Sequence, residues 1–126
     1  MPKACRILLV EDDHGVQELL QRILTDEGND VVVARDGPSM RAALATDDFN
    51  AAIIDFRLPG GETGLVLAQQ AAERGCGVVL ITGDHLQDEA LAASGHYYLL
   101  KPFRVEALLE ATQRAVEAAR RDRRAS

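Results

Sequence analysis

Apolar positions follow two alternating rhythms along the chain. Short solid runs, Ile7-Leu8-Leu9-Val10, Val31-Val32-Val33-Ala34, Ala51-Ala52-Ile53-Ile54 and Val78-Val79-Leu80-Ile81, are each bounded by acids or turn residues. Runs of this length read as buried strands. Between them the spacing lengthens. Val16, Leu19, Leu20, Ile23 and Leu24 fall at i, i+3, i+4, i+7 and i+8, one face of a helix that Gly28 is placed to stop. A shorter helix is predicted over Ser39–Thr46, with Met40, Ala43 and Leu44 inward. Leu65, Ala68 and Ala72 mark a third that ends near Gly75. Gln87–Ala93 is Ala-rich and weakly amphipathic, and His96–Leu100 is a fifth strand. From Arg104 a last helix carries Val105, Leu108, Leu109, Thr112, Val116 and Ala119 on one stripe.

The order is strand then helix, five times. Such alternation predicts a parallel sheet with helices on both faces, because each parallel crossover needs a helix. Solidly apolar strands fit burial on both sides. With 126 residues the chain is one domain with a core of useful size. No apolar run reaches the roughly 18 residues of a membrane span, and Met1–Arg6 lacks the apolar core of a signal peptide, which points to the cytoplasm. Cys5 and Cys76 lack metal-ligand spacing and read as reduced space-fillers. The net charge is −6, of which residues 120–126 contribute +3 and the remaining body −9. A body so acidic argues against nonspecific nucleic-acid binding.

In a parallel sheet all strand C-termini share one edge, where ligands of open α/β sheets gather. Strand one brings Glu11 and Asp12 to that edge, strand three Asp55, strand four Thr82 and strand five Lys101. With strand order 2-1-3-4-5 the carboxylates of strands one and three converge. Close like charges are unfavourable alone, and a divalent cation relieves them. Hard carboxylate oxygens suit Mg2+, and a hydroxyl and an ammonium complete a site for phosphoryl oxygens. Asp55 is the candidate nucleophile, since a carboxylate can form an acyl phosphate.

Val10-Glu11-Asp12, the segment Ile53-Ile54-Asp55-x-x-Leu58-Pro59, Thr82-Gly83 and Tyr98-x-x-Lys101-Pro102-Phe103 together resemble the response-regulator receiver domain of bacterial two-component signalling. The resemblance covers the whole chain, with residues 1–120 as the domain and 121–126 as a basic tail. It implies a flavodoxin-like (βα)5 three-layer α/β sandwich with sheet order 2-1-3-4-5. It implies that Asp55 accepts the phosphoryl group, that Asp12 and Asp55 bind Mg2+ with Glu11 acting largely through water, and that the backbone carbonyl of Arg57 is a further ligand. Thr82 and Lys101 match the phosphate-sensing pair, Tyr98 the aromatic switch residue, and Pro102 the residue after a usually cis peptide. The implied phosphodonor is a histidine kinase or a histidine phosphotransfer domain. The implied output is a change in protein contacts on the face of the fourth helix, fifth strand and fifth helix, with a homodimer as one candidate arrangement. The resemblance implies a signalling domain, not an enzyme, catalysing only its own phosphotransfer and autodephosphorylation.

With no DNA-binding domain expected after residue 126 and termini that look complete, a single-domain protein is expected ahead of a receiver excised from a hybrid kinase. The alternative is a flavodoxin-like small-molecule binder, or a phosphatase using the same strand ends. Against the first, no glycine-rich phosphate loop follows strand one. Against the second, Arg57 stands where a haloacid-dehalogenase-type phosphatase has a second Asp. Two features depart from most receivers. The turn Pro59-Gly60-Gly61-Glu62-Thr63 is one residue longer, as in receivers found with hybrid kinases, and Arg57 is bulky and charged. Arg57 is expected to shield the acyl phosphate from water or to bind a neighbouring carboxylate, and Asp84 reads either as tuning water access to the phosphoryl group or as a plain loop acid. Asp13 reads as a helix N-cap, and His14, His85 and His96 as surface or loop residues. The four Arg of residues 120–124 read as complementing the end of the last helix.

Overall fold

Five parallel strands form one sheet: β1 (Arg6–Val10), β2 (Asp30–Ala34), β3 (Ala51–Asp55), β4 (Gly77–Thr82) and β5 (Tyr97–Leu100). Their order is β2-β1-β3-β4-β5, as expected. The helices between them are α1 (His14–Asp26), α2 (Gly37–Thr46), α3 (Gly64–Glu73), α4 (Asp88–Ala93) and α5 (Val105–Ala125), with a 3-10 turn at His85–Gln87 leading into α4. The computed structural model describes residues 5–125, with side chains as far as Asp122.

Side chains alternate across the sheet and feed two cores. Leu8, Val10, Ala52, Ile54 and Leu80 meet Met40 and Leu44 of α2, Leu67, Ala68 and Ala71 of α3, and Leu91 of α4. Ile7, Leu9, Ile53, Val79 and Ile81 meet Leu20 and Leu24 of α1 and Leu108, Ala115 and Val116 of α5. Covering on both faces explains why β3 and β4 carry no polar side chain before their last position.

Three stripe positions differ from expectation. Ala72 is exposed, because the buried face of α3 runs through Leu67, Ala68 and Ala71. Leu19 is 59% exposed and Val105 43% exposed. The inner face of α1 is centred on Leu20 and Leu24, which turns Leu19 outward. Val105 is the first residue of α5, one turn before its first buried residue, Leu108. The weak Gln87–Ala93 pattern resolves into the 3-10 turn and a short α4 that buries only Leu91. Gly28 and Gly75 take positive φ just past α1 and α3, the conformation that helix C-termini favour. Against β4, α5 packs very closely: a Cβ on Gly77 would lie 2.3 Å from the Ala115 carbonyl oxygen.

The backbone of residues 121–125 continues α5. The expected role of Arg123 and Arg124 at the helix end lies outside the described side chains. Among the described residues no helix is long and apolar enough to cross a membrane.

Candidate functional site

The site begins where β1 runs out. Glu11 keeps its amide in the sheet by donating to Ala34 O at 2.9 Å, so its side chain is turned into the protein and fully buried. Its Oε2 accepts from the Asp12 amide at 3.0 Å and its Oε1 from Lys101 Nζ at 3.0 Å. The Gln17 side-chain amide donates to the Glu11 carbonyl. Asp12 is exposed, and its carboxylate has no hydrogen-bond or ion-pair partner among the described residues. Asp13 caps α1, its Oδ1 accepting from the Val16 amide at 2.9 Å.

Asp55 is the last residue of β3 and only 8% exposed. Its two oxygens have different neighbours. Oδ1 accepts from the Arg57 amide at 3.0 Å, while Oδ2 faces Lys101 Nζ at 3.2 Å. The Phe56 amide stays on β4 by donating to Ile81 O at 2.8 Å. α3 then starts directly against this strand end. A Cβ on Gly64 would lie 2.6 Å from Phe56 Cα and 2.9 Å from the Asp55 carbonyl oxygen, so the close approach requires glycine.

Thr82 ends β4 almost fully buried, its Oγ1 accepting from the Asp84 amide at 3.0 Å. Lys101 follows β5. Its amide donates to Thr82 O at 2.7 Å, and its carbonyl accepts from His85 Nε2 at 3.0 Å. The Lys101–Pro102 peptide is cis. Asp55, Arg57, Thr82, Gly83 and Asp84 line an open cleft of about 480 Å³, across which the Arg57 guanidinium pairs with Asp84.

Charge at the site is unevenly compensated. Burial pushes the Glu11 carboxyl up to about 7; the adjacent Asp55 adds to the rise and Lys101 opposes it. Burial alone pulls the Lys101 ammonium down, but the Glu11 and Asp55 carboxylates outweigh it and hold the group above its ordinary value. One ammonium thus pairs with two of the three carboxylates, Glu11 and Asp55, and leaves Asp12 out. Glu11, Asp12 and Asp55 each present an oxygen within 4.8 Å of the others, a cluster of hard donors that fits an octahedral divalent cation such as Mg2+.

The structure therefore brings together Glu11, Asp12, Asp55 and Lys101, with Thr82 lining the same cleft. Tyr98 stands apart on β5, its hydroxyl donating to Asp88 Oδ1 at 2.7 Å. Among the histidines, His85 is exposed in the turn after β4, as expected, and its Nε2 donates to the Lys101 carbonyl. The partner of Arg57 is Asp84, a link that opposite charge alone suggests. Glu62, in the long turn, meets Arg41 of α2, and no local pattern in the chain announces that contact.

The response regulator receiver domain family matches residues 7–113. The aerobic respiration control protein ArcA of Escherichia coli K12 is 37% identical over 101 residues, covering 77% of this chain and 42% of its own length. The chain thus spans less than half of that relative. A CheY-like response regulator receiver domain protein from Methanospirillum hungatei superposes with a TM-score of 0.80 at 26% identity, covering 95% of this chain and 99% of that one. The receiver domain of the sensor histidine kinase PA1611 from Pseudomonas aeruginosa, solved with magnesium in its active-site cleft, superposes at 0.76 and 26% identity over 91% and 99%.

Proposed function

Because the chain belongs to the response regulator receiver domain family, we propose that Asp55 is its phosphoryl acceptor and that it takes the group from a histidine kinase or a histidine phosphotransfer domain in the cytoplasm. The observation that carries this reading is the placing of Lys101 Nζ 3.2 Å from Asp55 Oδ2, beside a three-carboxylate cluster with hard-cation chemistry.

Glu11, Asp12, Asp55 and the Arg57 carbonyl would hold Mg2+, which when bound neutralises charge on the phosphoryl oxygens. An Asp55 oxygen attacks phosphorus in line. The new P–O bond forms as the P–N bond to the donor histidine breaks, and the imidazole nitrogen keeps the electron pair and takes a proton. Lys101 needs only a small shift from Asp55 Oδ2 to pair with a phosphoryl oxygen. Thr82 offers its hydroxyl to another, giving up the bond from the Asp84 amide. Fixed charges and donors of this kind are what phosphoryl transfer asks of a protein.

The output is a shift between two pre-existing states. Movement of Thr82 leaves room for Tyr98 to turn inward and release Asp88, which alters the α4-β5-α5 face. That face is the proposed contact for a downstream protein or for a second copy of the chain. The thin anchoring of α4, through Leu91 alone, supports its role as the moving part. Residues 1–120 form the receiver, and the chain turns over no other substrate.

Incubation with Mg2+ and a small phosphodonor should add one phosphate to the intact chain by mass spectrometry. Persistence of that product in Asp55→Asn overturns the assignment.

A further inference from the structure

The long turn between β3 and α3 is pinned to α2 at a point the phosphoryl chemistry does not use. The Glu62 carboxylate accepts two hydrogen bonds from the Arg41 guanidinium, Nη1 to Oε2 at 2.9 Å and Nη2 to Oε1 at 3.1 Å. Arg41 Nη1 also reaches Gln70 Oε1 of α3 at 3.3 Å. This two-pronged geometry fixes orientation as well as distance, which a lysine could not do. The first residue of α2 is shaped around it. A Cβ on Gly37 would lie 2.2 Å from Glu62 Oε1 and 3.1 Å from Arg41 Nη1.

Glu62 is well placed to control the turn. Gly60 and Gly61 take positive φ, so the tip of the turn is built from two residues without side chains to hold it. Glu62 follows them and precedes Thr63, which pairs in an antiparallel bridge with Arg57 and caps α3. Arg57 in turn donates its amide to Asp55 Oδ1 at 3.0 Å. A continuous path of contacts therefore runs from α2 through Arg41, Glu62, Thr63 and Arg57 to Asp55.

We propose that the Arg41–Glu62 fork positions the Arg57 backbone, so that α2 helps set the affinity of the Asp55 site for its cation. This rests on the reading of Asp55, Asp12 and the Arg57 carbonyl as Mg2+ ligands. Arg41 and Glu62 touch no reacting atom and are positioning residues. Both are partly exposed, so the effect is modest.

The test uses the full chain with Glu62→Gln, Arg41→Gln, Gly37→Ala and the exchanged pair R41E/E62R. The first readout needs no metal: amide hydrogen exchange across residues 57–63. The single variants should exchange the Arg57 amide about two- to fivefold faster, the range an exposed ion pair can supply. The second is the Mg2+ dissociation constant by titration, which should rise about two- to fivefold in the single variants and return toward the wild-type value in the exchanged pair. Gly37→Ala is the sharpest variant. It keeps both charges and installs a better helix former, yet pushes Glu62 away from Arg41. If the wild type binds Mg2+ and takes up phosphate, but the single variants match it in both readouts, the fork has no positioning role. A lowered melting temperature with both readouts unchanged equally removes that role and leaves the fork a purely structural contact. If the wild type neither binds Mg2+ nor gains a phosphate, the reading of the site falls, and this proposal with it.

Discussion

Arg57 and Asp84, 27 positions apart, form an ion pair that links the loops after β3 and β4 within the lining of the cleft. The Arg57 side chain is mostly in solvent, whereas Asp84 is largely covered and fixed by a hydrogen bond from the Leu86 amide at 3.0 Å. That bond, with Gln87 and Arg57 behind it, holds the Asp84 carboxyl below its ordinary range, so the pair is charged at neutral pH. Both residues of the pair line the cleft that Asp55 and Thr82 also line.

Opening the pair should expose the acyl phosphate. Arg57→Ala is expected to speed loss of phosphate from the phosphorylated chain by about fivefold, the factor corresponding to about 1 kcal/mol. Decay followed by intact mass after removal of the phosphodonor measures this. An unchanged rate in Arg57→Ala removes the shielding role.

Asp12 is the carboxylate of the cluster that no positive group compensates. Asp12→Ala should raise the metal-free melting temperature by about 3 °C, since one of three crowded charges is gone. The wild type should gain stability as Mg2+ is added, by mass action on the folded state, and the variant should gain little. Thermal melts with and without Mg2+ decide it. Equal Mg2+ responses in the two proteins contradict a ligand role for Asp12.

The Tyr98–Asp88 hydrogen bond raises the Tyr98 phenol above its ordinary value, because the carboxylate favours the protonated hydroxyl. Asp88→Asn should lower that value, so the phenol ionises at lower pH. An ultraviolet titration in a Tyr97→Phe background isolates the signal, as the chain has only two tyrosines. No downward shift would mean that Tyr98 does not hold Asp88 in solution.

Gly77→Ala tests the packing of α5. The new methyl would meet the backbone of Ala115 and Val116, not a yielding side chain. A loss of about 3 kcal/mol, or roughly 10 °C in melting temperature, is expected. A neutral result would show that α5 can ride away from β4 at little cost.

Much of the molecule was legible in the chain. The apolar runs predicted the strands because β1, β3 and β4 are buried on both faces, and Glu11, Asp55 and Thr82 stood out as polar residues closing such runs. Asp13 announced its cap through simple proximity to the first helical turn. Leu19 misled because a period of 3.6 places it beside a buried stripe whose width only the neighbouring elements decide. The short 3-10 turn was invisible, since three residues carry no periodicity. The Arg41–Glu62 and His85–Lys101 contacts were hidden for another reason. They join separate loops and helices, so no local pattern encodes them.

Lys101 also sets an order of assembly. Its ammonium meets Glu11 from 90 positions away, its other carboxylate partner ends β3, and its amide closes onto β4. Until β5 has docked, Glu11 and Asp55 face each other without a cation from the chain. The charge balance of the Asp55 pocket is therefore a property of the whole five-stranded sheet, present only when β5 has joined the other four.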